Sequence, residues 1–201
     1  MPQENPRGIY NRGYLPHWDF PGALQAVTFR LADSVPHHLI QQWLEELEAE
    51  NDIPLSRQNL HRRIAQYEDA GHGEALLVNP SCAECIQEQL IARHRTDYLL
   101  RQWVIMPNHV HVLLKPKSNV AISSIIKRWK GASAVAINRT LERTGTLWAR
   151  EYHDRWIRDE AHMHNAIAYI RNNPVKAGLC ERPEDWPYSS AGTAWNDRDD
   201  W

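Results

Sequence analysis

The sequence is poor in cysteine: Cys82, Cys85 and Cys180 are all it has among 201 residues. An odd number cannot all pair, and the single C-x-x-C has no second pair at zinc-ribbon spacing, so neither a disulfide framework nor a structural zinc is expected. The stretch "SCAECIQEQLIARH" reads instead as small residues on a helix. An apolar run of about 18 residues is also lacking, as is a charged leader followed by an apolar stretch. A membrane span and a secretory signal are therefore not expected, and the expected location is cytoplasmic. No repeat or low-complexity segment appears, and the length suits a single domain over residues 1–201.

Charge of one sign is missing from the total, which is −2. Along the chain it is not missing at all. Eight Lys and Arg face fourteen Asp and Glu over residues 1–100, thirteen face five over 101–180, and two face six over 181–201. A local basic block attracts a polyanion whatever the overall sum, because phosphate binding follows the local cluster. Solvated helix faces are the plainer explanation of the same block.

After a polar start, "ALQAVTFRLAD" (23–33) alternates and is rich in β-formers, which predicts a strand. "PHHLIQQWLEELEAEN" carries Leu39, Ile40, Trp43, Leu44 and Leu47 at helical spacing. Residues 51–94 read as a helical insertion of two further helices, parted by "GHG" and by Asn79-Pro80. "DYLLRQWVIM" and "HVHVLLKP" predict an antiparallel hairpin turning at "PN". Residues 118–143 predict an amphipathic helix, with Trp129 in its apolar stripe and Lys127, Arg128, Lys130 and Arg139 mostly off it. "TLWAREYHDRWIRD" (146–159) predicts a last strand, and "EAHMHNAIAYIRNNPVKAGL" a helix interrupted near Pro174 and stopped at Gly178, before an acidic tail over 181–201. This order predicts an α+β fold, ferredoxin-like or RRM-like, with an antiparallel sheet, helices on one face and the helical insertion after the first helix.

Side chains alternate along a strand, so His109 and His111 share a face while Val110 and Val112 take the other. With Cα atoms about 7 Å apart, two such imidazoles can converge on one divalent ion. An H-x-H alone is equally met where one histidine is a hydrogen-bonded core residue and the other sits at a sheet edge. Tyr169 and Asn173, at i and i+4 of the last helix, add a phenol and an amide on one face if the helix persists to Pro174. A phenol with a pKa near 10 reacts at neutral pH only when a base or metal stabilises its phenolate. Two histidines with one oxygen ligand and open positions suit Mg²⁺ or Mn²⁺ at a phosphate, the imidazoles tilting toward Mn²⁺ and zinc staying open.

Four stretches in order, "MPNHVHVLLKP", "GTLWAREYHDRWIRDE", "YIRNNPVKAGL" and "EDWPYSSA", resemble the REP-associated tyrosine transposases, single-tyrosine transposases of the HUH (His-hydrophobic-His) nuclease superfamily. The opening "RGYLPHWDFPGALQAVTFRLADSVP" is similar to that group's first strand. The likeness covers about residues 8–33 and 98–191 and leaves the helical region around 51–94 without a recognised motif. It implies that His109 and His111 are metal ligands around the spacer Val110, that Tyr169 is the nucleophile, and that Asn173, with Asn172 as competitor, is the third ligand. It further implies a metal-dependent enzyme that nicks and rejoins single-stranded, hairpin-forming DNA through a 5′-phosphotyrosine in transposition or recombination. Whether it acts as a monomer or a homodimer stays open.

Under that reading Lys127, Arg128, Lys130, Arg139, Arg155, Arg158, Arg171 and Lys176 form an electrostatic track for phosphates. Tyr152 and Tyr188 read as packing residues, and His153 and Asp154 as a strand-end salt bridge with Arg155 or Arg158 before a support of the site. His162 and His164 are assigned at most a phosphate contact. The competing functions are a hairpin-DNA binding regulator with little or no cleavage, and a hydrolase of small phosphoesters. The second lacks the further carboxylates that a two-metal site would use.

Overall fold

The computed structural model describes residues 8–11, 13, 15–20, 22–48, 53–193 and 195. Its elements run β1 (Gly8–Asn11), β2 (Pro16–Asp19), β3 (Gln25–Arg30), α1 (His37–Glu48), α2 (Ile53–Asp69), α3 (Pro80–Ile91), β4 (Tyr98–Ile105), β5 (His109–Pro116), α4 (Ile122–Thr140), β6 (His153–Trp156) and α5 (Glu160–Lys176). Short 3₁₀ turns lie at Leu76–Val78 and Pro183–Asp185. No helix among the described residues is long and apolar enough to cross a membrane.

Four strands form one sheet in the order β4-β5-β3-β6, every neighbour antiparallel. This is the expected α+β, ferredoxin-like arrangement. Alternation divides the sheet's faces. Val27, Phe29, Val110, Val112 and Leu114 enter one core with Cys82, Ala83, Ile86 and Leu90 of α3 and Ile122, Ile125, Ile126 and Trp129 of α4. Each Val, Leu, Ile or Phe among them, once fully buried, contributes about 1.5–3 kcal/mol. Val104, Met106 and Leu113 pack on the opposite face against Ile157 and Ile170, under α5. Helices therefore cover both faces, not one, because the sheet is apolar on both sides along β4 and β5.

The helix that pairs with α4 over the sheet is α3, although the sequence placed it inside the insertion. Its stripe of small residues, Cys82 and Ala83 beside Ile86 and Leu90, lets it lie close. The excursion proper is α1 with α2, which share a small core of Leu15, Val35, Ile40, Leu47, Leu60 and Ile64. Asn79 caps α3, its Oδ1 accepting from the Ser81 N–H at 3.0 Å, with Pro80 at the first turn. Asp159 caps α5 by accepting from the His162 N–H at 2.7 Å, and Gly178 ends it with φ +70°. Pro174 does not interrupt α5. It lies in the last turn, where one lost backbone donor is tolerable, and the carbonyls of Asn173 and Pro174 still accept from Ala177 and Leu179.

Three features depart from the sequence expectation. The predicted last strand is confined to His153–Trp156, and the tail's "YSS" lies along the outer edge of β4: Ile105 N–H donates to Tyr188 O at 2.8 Å and Ser190 N–H to Trp103 O at 2.9 Å. The acidic residues 196–201 fall outside the described residues. The polar start contains the β1–β2 hairpin, pinned to β6 by His17, which is buried between Asp154 (2.6 Å) and Glu151 (3.5 Å). Burial opposes charging His17, but hydrogen bonds to Asp154 and Glu151 and their charges outweigh it and raise its pKa to about 9. Asp154 thus serves the hairpin and not a salt bridge with Arg155 or Arg158. His17→Ala strands two buried carboxylates and should lower unfolding free energy by about 3–5 kcal/mol. The pKa is raised on folding, so this stabilisation is whole below pH 6.5 and fades as pH rises through 9. Urea unfolding of both proteins at pH 6 and above pH 9 should show the gap narrowing.

Candidate active site

Register builds the site. On β3, Thr28 lies opposite His111 and Arg30 opposite His109, so all four side chains share the face beneath α5. Both imidazoles are buried, their Nε2 atoms 2.9 Å apart and their rings at 77°. Thr28 Oγ1 lies 2.7 Å from His111 Nδ1, and Asn108 Oδ1 2.7 Å from His109 Nδ1. Asn108 has its amide direction set, since Nδ2 donates to the carbonyls of Glu68 (3.1 Å) and His72 (2.9 Å). His109 Nδ1 must then donate to Oδ1, which leaves its Nε2 as a lone pair facing His111. The Thr28 hydroxyl can donate or accept, so His111 can carry its proton on either nitrogen.

The end of α2 brings a carboxylate to this pair. Asp69 Oδ1 lies 3.9 Å from His109 Nε2, and Asp69, His109 and His111 each offer a ligand atom within 4.8 Å of the others. Asp69 Oδ2 meets Lys176 Nζ at 3.2 Å. Its neighbour Glu68 is buried against Arg30, Nε to Oε1 3.2 Å, and burial, opposed by Arg30, raises its pKa to about 8.

From α5, Asn173 is buried and its Nδ2 lies 3.3 Å from His111 Nε2; turning the amide would present its oxygen there instead. Asn172 faces out and donates to Ala168 O, so it does not reach the histidines. The Tyr169 ring is 41% exposed and sits 5.2 Å from the His111 ring, with Lys176 Nζ 5.9 Å from its centre. A cavity of about 510 Å³ opens on Tyr169 and His111 and runs between α2, the sheet and α5.

Burial lowers His109 to about 3, and burial with the nearby His109 holds His111 well below its usual value. Both are neutral at pH 7, the form that binds a metal. Tyr169 is pushed up to about 12 by burial and by Asp69, against a lowering hydrogen bond from Asn173. Unaided, it is a neutral phenol. The donor set therefore fits a divalent cation: two neutral imidazoles converge with a carboxylate and an amide, and each Nδ1 is held from behind.

The basic side chains divide. Lys127, Arg128, Lys130 and Arg139 belong to α4, behind the sheet from the histidines. Arg128 is engaged with Asp97 at 2.5 Å, and Lys130 donates to the carbonyls of Ala149 and Glu151. Arg171 pairs with Glu184 at 2.9 Å. Arg155 and Lys176 do line the cavity, and Arg158 is exposed nearby in sequence. The single track therefore splits in two, because α4 packs by its apolar stripe on the other face. Sequence reasoning missed Asp69 and Asn108. A signal existed for the first: Glu68 and Asp69 close α2 with no basic residue in its last turn, against the helix dipole. Asn108 looked like turn chemistry alone.

Residues 78–173 match the family model described as "Transposase IS200 like". A Haemophilus influenzae protein assigned to the REP-associated tyrosine transposases is 32% identical over 96 residues, covering 43% of this chain and 54% of that protein. The Escherichia coli REP-associated tyrosine transposase is 26% identical over 92 residues, covering 45% of this chain and 53% of its own length. The chain thus spans about half the length of the curated relatives it matches. In fold it is similar to a REP-associated tyrosine transposase solved bound to a REP hairpin, with a TM-score of 0.54 and 17% identity over 90% of this chain and 81% of the other. Over residues 78–173 the chain is similar to the IS200-like transposases, and over about half their length to REP-associated tyrosine transposases.

Proposed function

We propose that the chain is a metal-dependent DNA transposase of the single-tyrosine kind, which binds REP-like, hairpin-forming DNA and cleaves and rejoins it in transposition or recombination. The observation that carries this reading is the half-exposed Tyr169 beside two buried imidazoles whose ligand nitrogens converge at 2.9 Å. Tyr169 gives up its phenolic proton to solvent, its Oη attacks the scissile phosphorus, the P–O3′ bond breaks, and the leaving oxygen takes a proton from solvent to become a 3′-hydroxyl. The 5′-phosphotyrosine keeps the bond energy, so a second 3′-hydroxyl can reverse the step without ATP.

His109, His111 and Asp69, with Asn173 through its oxygen, would hold the ion. When bound, it supplies charge stabilisation to the phosphate and to the phenolate oxygen. Two neutral imidazoles with oxygen ligands would suit Mg²⁺ or Mn²⁺ at a phosphate, the imidazoles tilting toward Mn²⁺. Arg155, Arg158 and Lys176 are the charges on the catalytic side for the DNA backbone; Lys127 and Arg139, exposed on α4, are open to a duplex stem reaching around the sheet. A DNA substrate goes with a cytoplasmic location.

The test is a labelled single-stranded hairpin panel with Mn²⁺, read on a denaturing gel. A covalent adduct that disappears with chelator is expected. An adduct indifferent to chelator would overturn the metal role, and tight binding without any adduct would favour a hairpin-binding regulator.

A further inference from the structure

The 510 Å³ cavity is larger than the metal and phenol need, and most of its wall has no part in the chemistry above. It is continuous with His111 and Tyr169, so whatever fills it lies next to the reacting phosphate. Its floor is apolar, including Ile64 and Ile157, both buried. One wall is the imidazole of His61 from α2, stacked on His153 of β6 with ring centres 3.4 Å apart and planes at 25°. Two exposed guanidiniums, Arg62 and Arg155, line it from the same two elements. An apolar slot with a flat π wall and cationic groups toward solvent matches the parts of a nucleotide: base inward, phosphate outward. The volume lies within the range of small-ligand pockets.

We propose that this cavity receives one unpaired nucleotide flanking the scissile phosphate, its base packed against the His61–His153 stack and its own phosphate held by Arg62 and Arg155. The site rests on the reading that Tyr169 cleaves single-stranded DNA. It goes beyond that reading because His61 and Arg62 stand on α2, outside the segment matched to the IS200-like family. The excursion of α1 and α2 thereby becomes a specificity element, reading a base beside the hairpin.

Binding can be separated from cleavage in the Tyr169→Phe protein. Hairpins carrying an abasic position, moved one nucleotide at a time across the cleavage site, should show one position where affinity falls about 5–150-fold, the worth of a stacked base. Adding His61→Ala or His153→Ala should shrink that penalty to about twofold while affinity for the abasic hairpin stays unchanged. Ala166→Trp, which fills the cavity from α5, gives the same outcome by another route and covers the case in which a histidine variant fails to fold. A penalty equal in all backgrounds, or no sensitive position, overturns the proposal. Adduct formation by the parent protein on intact hairpins reports separately: an adduct without a sensitive position leaves Tyr169 as nucleophile and removes the pocket, and the reverse result keeps the pocket and removes the nucleophile.

Discussion

Tyr169→Phe should abolish the covalent protein–DNA adduct and leave hairpin affinity within about twofold, a change of only about 0.4 kcal/mol. The substitution removes the one oxygen that the proposed mechanism uses for the new bond and keeps the ring beside His111, so packing and the proposed DNA-facing surface should persist. Neither Tyr152 nor Tyr188 can take over. Tyr152 is buried, its hydroxyl 3.2 Å from that of Tyr10 and its ring 4.3 Å from His17. Tyr188 is committed to the strap on β4, its carbonyl accepting from Ile105. With parent Tyr169 at about 12, the phenolate is scarce at pH 7, and adduct formation should quicken as pH rises through the neutral range. The readout is a denaturing gel of labelled strands over a pH series. An adduct formed by the Phe variant would assign the nucleophile elsewhere.

The face shared by His109 and His111 was legible in the sequence because strand alternation is a local rule that tertiary packing did not disturb. The i, i+4 relation of Tyr169 and Asn173 was legible for the same reason, once α5 ran straight through Pro174. Asp69 and Asn108 were hidden because their meaning is non-local. Asp69 reaches His109 across 40 residues of chain, and Asn108 matters because its amide spans His109 and the end of α2. The basic track failed differently. Charge counted along the chain cannot tell which side of a sheet a helix will cover, and α4 took the side away from the histidines. The helical region was misdivided because apolar spacing marks α1, α2 and α3 alike as helices. Only the small residues Cys82 and Ala83 hint that α3 is the one lying close on the sheet.

His109→Ala should weaken Mn²⁺ binding by more than the roughly 10–100-fold that loss of an outer hydrogen-bond partner costs, and Asn108→Ala should fall within that range. The first removes a proposed ligand nitrogen. The second leaves both imidazoles in place but frees His109 Nδ1 and cuts the ties from β5 to the carbonyls of Glu68 and His72. Asp69, one residue beyond Glu68, then loses its fixed approach to His109, so the variant should disturb two proposed ligands at once. Double substitution separates the routes. If Asn108 acts only by orienting these ligands, adding Asn108→Ala to His109→Ala costs less than it does alone, since one of its two clients is already gone. Calorimetric Mn²⁺ titration of the metal-free proteins reads this without any DNA. Because His109 is held near 3, parent affinity should change little between pH 6 and 8; a steep rise across that window would mean that an imidazolium is being discharged there and that the pair is less buried than its geometry requires.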